Sequence, residues 1–392
     1  MPALTIVSSV GDALRVSFGM FWEILWALIL GFALSGAVQA VVTKGEMRRL
    51  LPDDSPRSLA IAAGLGAASS SCSYAAAALA RSLFRKGADF TAAMAFEFAS
   101  TNLVIELGII MWLLLGWQFA LAEFVGGPIM IIFMALLFRV FLTRQLVDDA
   151  RVQADRGLIG SMEGHAEMDM SVTESGSLRH RLFSDKGLTA TANYFVMDWV
   201  AIWKDIAAGL LIAGALAAWV PNHAWQSLFL THHGTIAKLW GPIIGPLVAI
   251  ISFVCSIGNV PLAAVLWNGG ISFGGVIAFI FADLIILPIL DSYRRYYGTR
   301  MAGFLLITFY AAMVASALLV EVVFSALGLV PSTRSAHVTE ASVALNYTTI
   351  LNAIFLAIAA FLVTRFIRTG GLPMLRMMNT PPSGAHTHST AR

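Results

Sequence analysis

Cysteine is almost missing: Cys72 and Cys255 are the only two in 392 residues, and neither belongs to a CxxC pair. A disulfide scaffold, a thioredoxin-type redox motif and a zinc knuckle are therefore excluded. Charge is scarce as well. Acidic and basic residues together make up 12% of the chain, against 58% hydrophobic residues and a mean hydropathy of +0.78, far from the values of soluble domains. No Gly-x-x-x-x-Gly-Lys-Ser/Thr run occurs, so any dependence on ATP would need a partner chain. The ten-residue alternation of an outer-membrane barrel is lacking too. Before the first apolar run there is no short h-region with a small-residue cleavage site, so the first helix is expected to be retained.

What the chain does have is long apolar runs. Several exceed the roughly 20 residues that a helix needs to cross a hydrocarbon core of about 30 Å. The expected fold class is an all-α polytopic membrane protein with the lipid bilayer as its solvent. The formal charge of +2 lies mostly in loops, where it sets orientation and does not attract nucleic acid.

One stretch organises the rest. Cys72 to Ala99 (CSYAAAALARSLFRKGADFTAAMAFEFA) returns without a gap at Cys255 to Ala282 (CSIGNVPLAAVLWNGGISFGGVIAFIFA), with eleven of 28 positions identical, among them the Cys-Ser pair, Gly87 with Gly270, and Phe90 with Phe273. The first long run has a partner as well, because Gly31, Gly36, Ala37, Ala40 and Val42 match Gly209, Gly214, Ala215, Ala218 and Val220. The chain thus divides into a membrane repeat over 18–142, a polar connector over 143–193, a second repeat over 194–330 and a further transmembrane helix over 348–368.

Basic residues flank both ends of the first Cys segment (Arg57 before it, Arg85 and Lys86 after it), which points to a re-entrant hairpin or broken helix instead of a full crossing. Read that way, the loop after the first copy is cytoplasmic, the loop after the second is outside, and the repeats are inverted. If both segments crossed fully, the repeats would be parallel and Lys86 and Arg144 would lie outside, against the positive-inside rule. Inverted repeats with broken helices at matching positions are the architecture of secondary transporters, whose substrate sites lie near the midplane where the breaks meet. The 143–193 connector and the C-terminus are expected in the cytoplasm.

The candidate substrate ligands surround the two breaks: Ser71, Cys72 and Ser73 at the first, and Cys255, Ser256, Gly258 and Asn259 at the second, with Asn102 on the following helix. Gly258 and Pro261 are the residues expected to make the second break. Paired thiols at such breaks suit a soft, thiophilic solute. A buried cysteine is also commonly just a small hydrophobe. Glu97 and Asp283 are candidates for coupling or gating, because a carboxyl within a membrane points to a proton relay, an ion site or a substrate ligand, or else to a cap on freed backbone. Glu23, Glu123, Asp198, Lys204, Asp205, Asp291 and Glu321 read as groups near span ends. The connector segment from Gly164 to Met170 mixes His165 with carboxylates and thioethers, a composition that either collects a metal ion or forms a solvated loop. No metal site and no cofactor is expected.

The pattern Cys72-Ser73, Leu79-Ala80, Gly87 and Ala95-Phe96, followed by Cys255-Ser256-Ile257-Gly258-Asn259-Val260-Pro261-Leu262-Ala263 and Phe279-Ile280-Phe281-Ala282-Asp283, resembles the bacterial ArsP-type permeases from about Phe18 to Arg368. The resemblance implies a bacterial inner-membrane efflux permease, with trivalent organoarsenicals such as methylarsenite as substrates, and Cys72 and Cys255 as ligands or gating residues. The chain departs from the arsenical pattern in having Ser-Cys-Ser at the first break where a pair of cysteines is expected. Three-thiolate capture is therefore impossible within one chain, and a singly or doubly substituted arsenical, or another soft solute, fits better. The expectation is a transporter and not an enzyme: proton-coupled export of a small thiophilic solute, conferring arsenical resistance, from a monomer or a homodimer. The alternatives are a transporter of a sulfur anion such as thiosulfate, or a membrane thiol oxidoreductase cycling a Cys72 to Cys255 disulfide.

Overall fold

The computed structural model describes residues 2–41, 51–69, 73–85, 87–154, 172, 178–219, 225, 227–252, 256–336 and 347–378, and among them all regular structure is helical. In the first repeat these are α1 (Pro2–Val41), α2 (Pro56–Ser69), α3 (Ser73–Arg85), α4 (Phe90–Asn102), α5 (Ile105–Leu114) and α6 (Trp117–Phe141). The short α7 (Arg144–Ala154) and α8 (Leu178–Phe183) follow. The second repeat comprises α9 (Asp185–Trp219), α10 (Thr235–Ser252), α11 (Ser256–Gly269), α12 (Phe273–Phe281) with a 3-10 extension Ala282–Ile285, α13 (Leu287–Tyr297) and α14 (Thr299–Ala326). Last come α15 (Tyr347–Arg368) and α16 (Gly371–Met378).

By length and composition, Phe90–Leu114, Trp117–Phe141, Thr299–Ala326 and Thr348–Arg368 can each cross a bilayer, and α12 with α13, bent by 40° at the break between them, has the length and apolar composition for a fifth if the two are one span. Helix α9 starts at Asp185, inside the stretch read as connector, and α7 and α8 are helical as well. The Gly164–Met170 segment lies outside the described residues.

Each Cys segment is flanked by two helices that fold as a hairpin. In the first, α2 and α3 precede and follow Cys72 in the chain and both pack against α4. The chain entering α2 meets the chain leaving α3, since the Asp89 N–H donates to the Leu51 carbonyl at 3.1 Å. Gly66 of α2 lies directly against the Phe96 carbonyl of α4, an approach that only a residue without Cβ permits. In the second hairpin, α10 and α11 pack on α12, and Gly241 near the start of α10 touches Ser272 just after α11.

The local chemistry of the two hairpins is the same. Gly87 and Gly270 turn the chain with φ of 103° and 111°, which favours glycine at both places. Asp89 and Ser272 then occupy equivalent N-caps, each accepting a backbone N–H three residues on, from Ala92 and Gly275, at 3.1 Å. Glu321 adds to the second cap by accepting the Gly274 N–H at 2.6 Å.

An arginine locks each hairpin base. Arg151 of α7 donates to the Phe84 and Ala88 carbonyls at 2.6 and 3.3 Å, and its guanidinium sits 4.0 Å from the centroid of the Phe84 ring. Arg334 donates to the Trp267 and Ile271 carbonyls at 2.8 and 2.7 Å and lies 4.4 Å from the Trp267 ring. The acceptors are repeat equivalents, and so, by spacing, are the arginines.

The hairpins enter from opposite ends of the molecule. Phe84 and Phe90 at the base of the first pack on Tyr297, where α13 ends. Trp267 and Phe273 at the base of the second pack on Phe119, where α6 begins. Helices α1 and α9 run antiparallel: Gly214 admits Ser17, whose hydroxyl donates to the Leu210 carbonyl at 2.9 Å, and Gly36 lies against the Thr191 carbonyl. These matched glycines serve packing within the chain.

Arg151→Gln and Arg334→Gln are each expected to loosen one hairpin only. Losing charge-assisted bonds weakens a base by about 2 kcal/mol, or about 30-fold in its opening equilibrium. The check is the rate at which a maleimide modifies Cys72 or Cys255, measured one at a time with the other replaced by serine. Arg151→Gln should accelerate Cys72 alone and Arg334→Gln Cys255 alone.

Candidate functional site

The start of α3 and the start of α11 converge on the bend between α12 and α13. Ser73, the first residue of α3, donates its hydroxyl to Asp283 Oδ2 at 2.6 Å. Ser256, the first residue of α11, and Asn102, the last of α4, whose amide donates to the Phe98 carbonyl and the Thr101 hydroxyl, lie beside this carboxyl. The first described residues of two helices from opposite repeats thus approach one acidic residue.

The surroundings of Asp283 are closed and incompletely paired. Glu97, Asn102, Glu123, Asn259 and Asp283 are all 0% exposed. Among the described residues, no hydrogen bond reaches Glu97 Oε2, Asn102 Oδ1, either oxygen of Glu123, either polar atom of the Asn259 side chain, or Asp283 Oδ1. Buried polar groups are normally bonded, and an orphaned one costs about 1–3 kcal/mol. So many around one point mark a place built to receive something. Glu97 and Glu123 each sit close enough to Asp283 to interact with it electrostatically.

Several predicted site residues come together here: Ser73, Ser256, Asn102, Asp283 and Glu97, whose Oε1 accepts the Tyr293 hydroxyl at 2.6 Å. Asn259 lies in the first turn of α11, and Gly258 and Pro261 are buried nearby on the same helix. Ser71, Cys72 and Cys255 lie outside the described residues, each cysteine directly preceding in sequence the serine described above.

Two expectations need correction. Gly258 and Pro261 do not make a break: α11 runs unbroken from Ser256 through both. Pro261 is tolerated because it falls in the second turn, where its missing N–H removes a single intrahelical bond. Glu123 is not near a span end in any solvated sense, but fully enclosed beside Asp283. Glu321 is the cap of α12, whereas Asp291 does pair with Arg294 and Arg295 at the surface.

Sequence reasoning missed Tyr293, Glu123 and the two locking arginines. The arginines had a signal, since Arg151 and Arg334 keep the same spacing as Cys72 and Cys255.

Residues 9–322 match the family model described as ArsP_1, predicted permease. A curated protein of Mycobacterium tuberculosis, named as a permease, is 66% identical over 348 residues, covering 89% of this chain and 86% of that one. No solved structure matches the chain.

Proposed function

The chain belongs to the ArsP-type predicted-permease family, and from that premise we propose that it exports a small thiophilic solute, a trivalent organoarsenical, by proton-coupled alternating access between its two hairpins. The observation that carries this reading is the convergence of Ser73 and Ser256 on Asp283. Each is preceded by a cysteine, so the convergence supports a solute held by two soft ligands from opposite repeats. A neutral arsenical suits a site with three carboxyls, where the anion of the sulfur-oxyanion reading would meet like charge.

Proton coupling is assigned to Asp283 and Glu97, and the paired helix ends at Cys72 and Cys255 to ligation or gating. The face carrying Arg81, Arg139, Arg151, Arg294 and Arg295 is assigned to the cytoplasm by its positive charge, in a bacterial inner membrane.

The test is methylarsenite uptake into everted vesicles carrying the wild type, Cys72→Ser or Cys255→Ser, with and without an uncoupler. Gradient-dependent uptake that is lost in both variants is expected. Wild-type uptake no greater than in empty vesicles would remove the arsenical and make thiosulfate the next probe.

A further inference from the structure

The polar groups leading away from Asp283 are unequally shared between the two repeats. Towards the base of the first hairpin, Glu97 accepts the Tyr293 hydroxyl at 2.6 Å, and Tyr297 stacks one turn further along α13, its ring 6.2 Å from that of Tyr293. The Tyr297 hydroxyl is buried and has no hydrogen-bond partner among the described residues. Tyr296 beside it lies under Arg81, 5.1 Å from ring to guanidinium, at the hairpin base. The equivalent path towards the second hairpin is apolar: Ile280 stands where Glu97 would be, and, counted back from the matching positive-φ glycines Gly116 and Gly298 at the ends of α5 and α13, Met111 and Leu115 stand where Tyr293 and Tyr297 do. Symmetry that holds through caps, turns and locking arginines fails at these three positions.

We propose that Tyr297, Tyr293 and Glu97 form a one-sided proton arm that connects Asp283 to the face at which the first hairpin enters, so that the coupling proton is exchanged with that face alone. The inference rests on the proton-coupled reading above and names the residues that carry it. Each hop breaks one O–H bond and forms another. A proton arriving at the Tyr293 oxygen releases the hydroxyl proton to Glu97 Oε1, the hydroxyl is thereby regenerated, and Glu97 passes its proton from Oε2, the oxygen without a partner among the described residues, to Asp283. Water fills the remaining gaps as the arm conducts. The groups facing Glu97 are Tyr293 and Tyr297 from α13 and Asp283 from the 3-10 turn. Those facing Asp283 are Ser73, Ser256, Asn102, Glu97, Glu123 and Tyr293.

A purely structural Tyr293–Glu97 bond would hold α13 against α4 without regard to the pH on either side. The test therefore reads the proton on Glu97 directly. Vesicles of one orientation are treated with dicyclohexylcarbodiimide, an apolar reagent that modifies protonated carboxyls, and the Glu97 adduct is quantified by mass spectrometry, with Glu97→Gln as the assignment control. The pH is varied on one face while the other is held constant. In the wild type the adduct is expected to fall by about tenfold per unit of pH above the group's midpoint on the first-hairpin face, with no response to the other face. Tyr293→Phe keeps the ring packing and should lose that response. An adduct that follows the opposite face or both equally, a complete absence of adduct, or a wild-type response in Tyr293→Phe would each overturn the arm. Uncoupler-insensitive uptake with a one-sided adduct would instead overturn proton-coupled transport and leave the arm standing.

Discussion

Asp283→Ala is expected to abolish transport at any attainable substrate concentration. Its carboxyl is the group on which the starts of α3 and α11 both depend: it accepts from Ser73 at 2.6 Å and is approached by Ser256 and Asn102. Each charge-assisted hydrogen bond is worth about 1.5–3 kcal/mol, or about 10–100-fold in an equilibrium constant. Alanine removes the bonds and also leaves the serine hydroxyl buried without a partner, a further cost of about 1–3 kcal/mol. Asp283→Asn keeps an acceptor for Ser73 and should fold like the wild type while losing gradient-driven accumulation. Uptake per molecule of protein together with the unfolding temperature in detergent measures both. Wild-type transport by Asp283→Ala would remove the residue from the site.

Glu123→Leu is expected to shift stability the other way. Glu123 is fully enclosed in α6, and among the described residues neither of its oxygens has a hydrogen-bond partner. Leucine has nearly the same bulk and nothing to desolvate, so the substitution should stabilise the fold by about 1–3 kcal/mol or more and raise the unfolding temperature. Transport should fall, because a carboxyl kept at such a cost beside Asp283 belongs to the transport cycle. A lower unfolding temperature would mean that Glu123 has a structural partner in the membrane.

Much of this architecture can be read from the sequence, because the repeat spells out its own local geometry twice. Gly87 and Gly270 are legible as paired turns because a positive φ favours glycine, and Asp89 and Ser272 as paired caps because both side chains can accept an N–H. Where the reading failed, tertiary context decided. Gly258 and Pro261 have the composition of a break, yet α11 runs through both, buried among the neighbouring helices. The burial of Glu123 depends on which helices cover α6, a fact absent from its own neighbourhood. Tyr293 stood in a polar-looking run, Asp291-Ser292-Tyr293-Arg294-Arg295, whose helical faces separate only once α13 is docked: Asp291 and Arg294 are exposed while Tyr293 is buried against Glu97.

The claim that two hairpins from opposite ends share one centre is tested most directly by bridging the chain's only two thiols. Dibromobimane becomes fluorescent when both of its arms have reacted with cysteine, and Cys72 and Cys255 adjoin the two serines that meet near Asp283. The account predicts a fluorescent, single-chain adduct in which the Cys72 and Cys255 peptides are joined, and none in Cys72→Ser or Cys255→Ser. Wild-type protein modified only singly at each thiol, with no joined peptide under any condition, would contradict it.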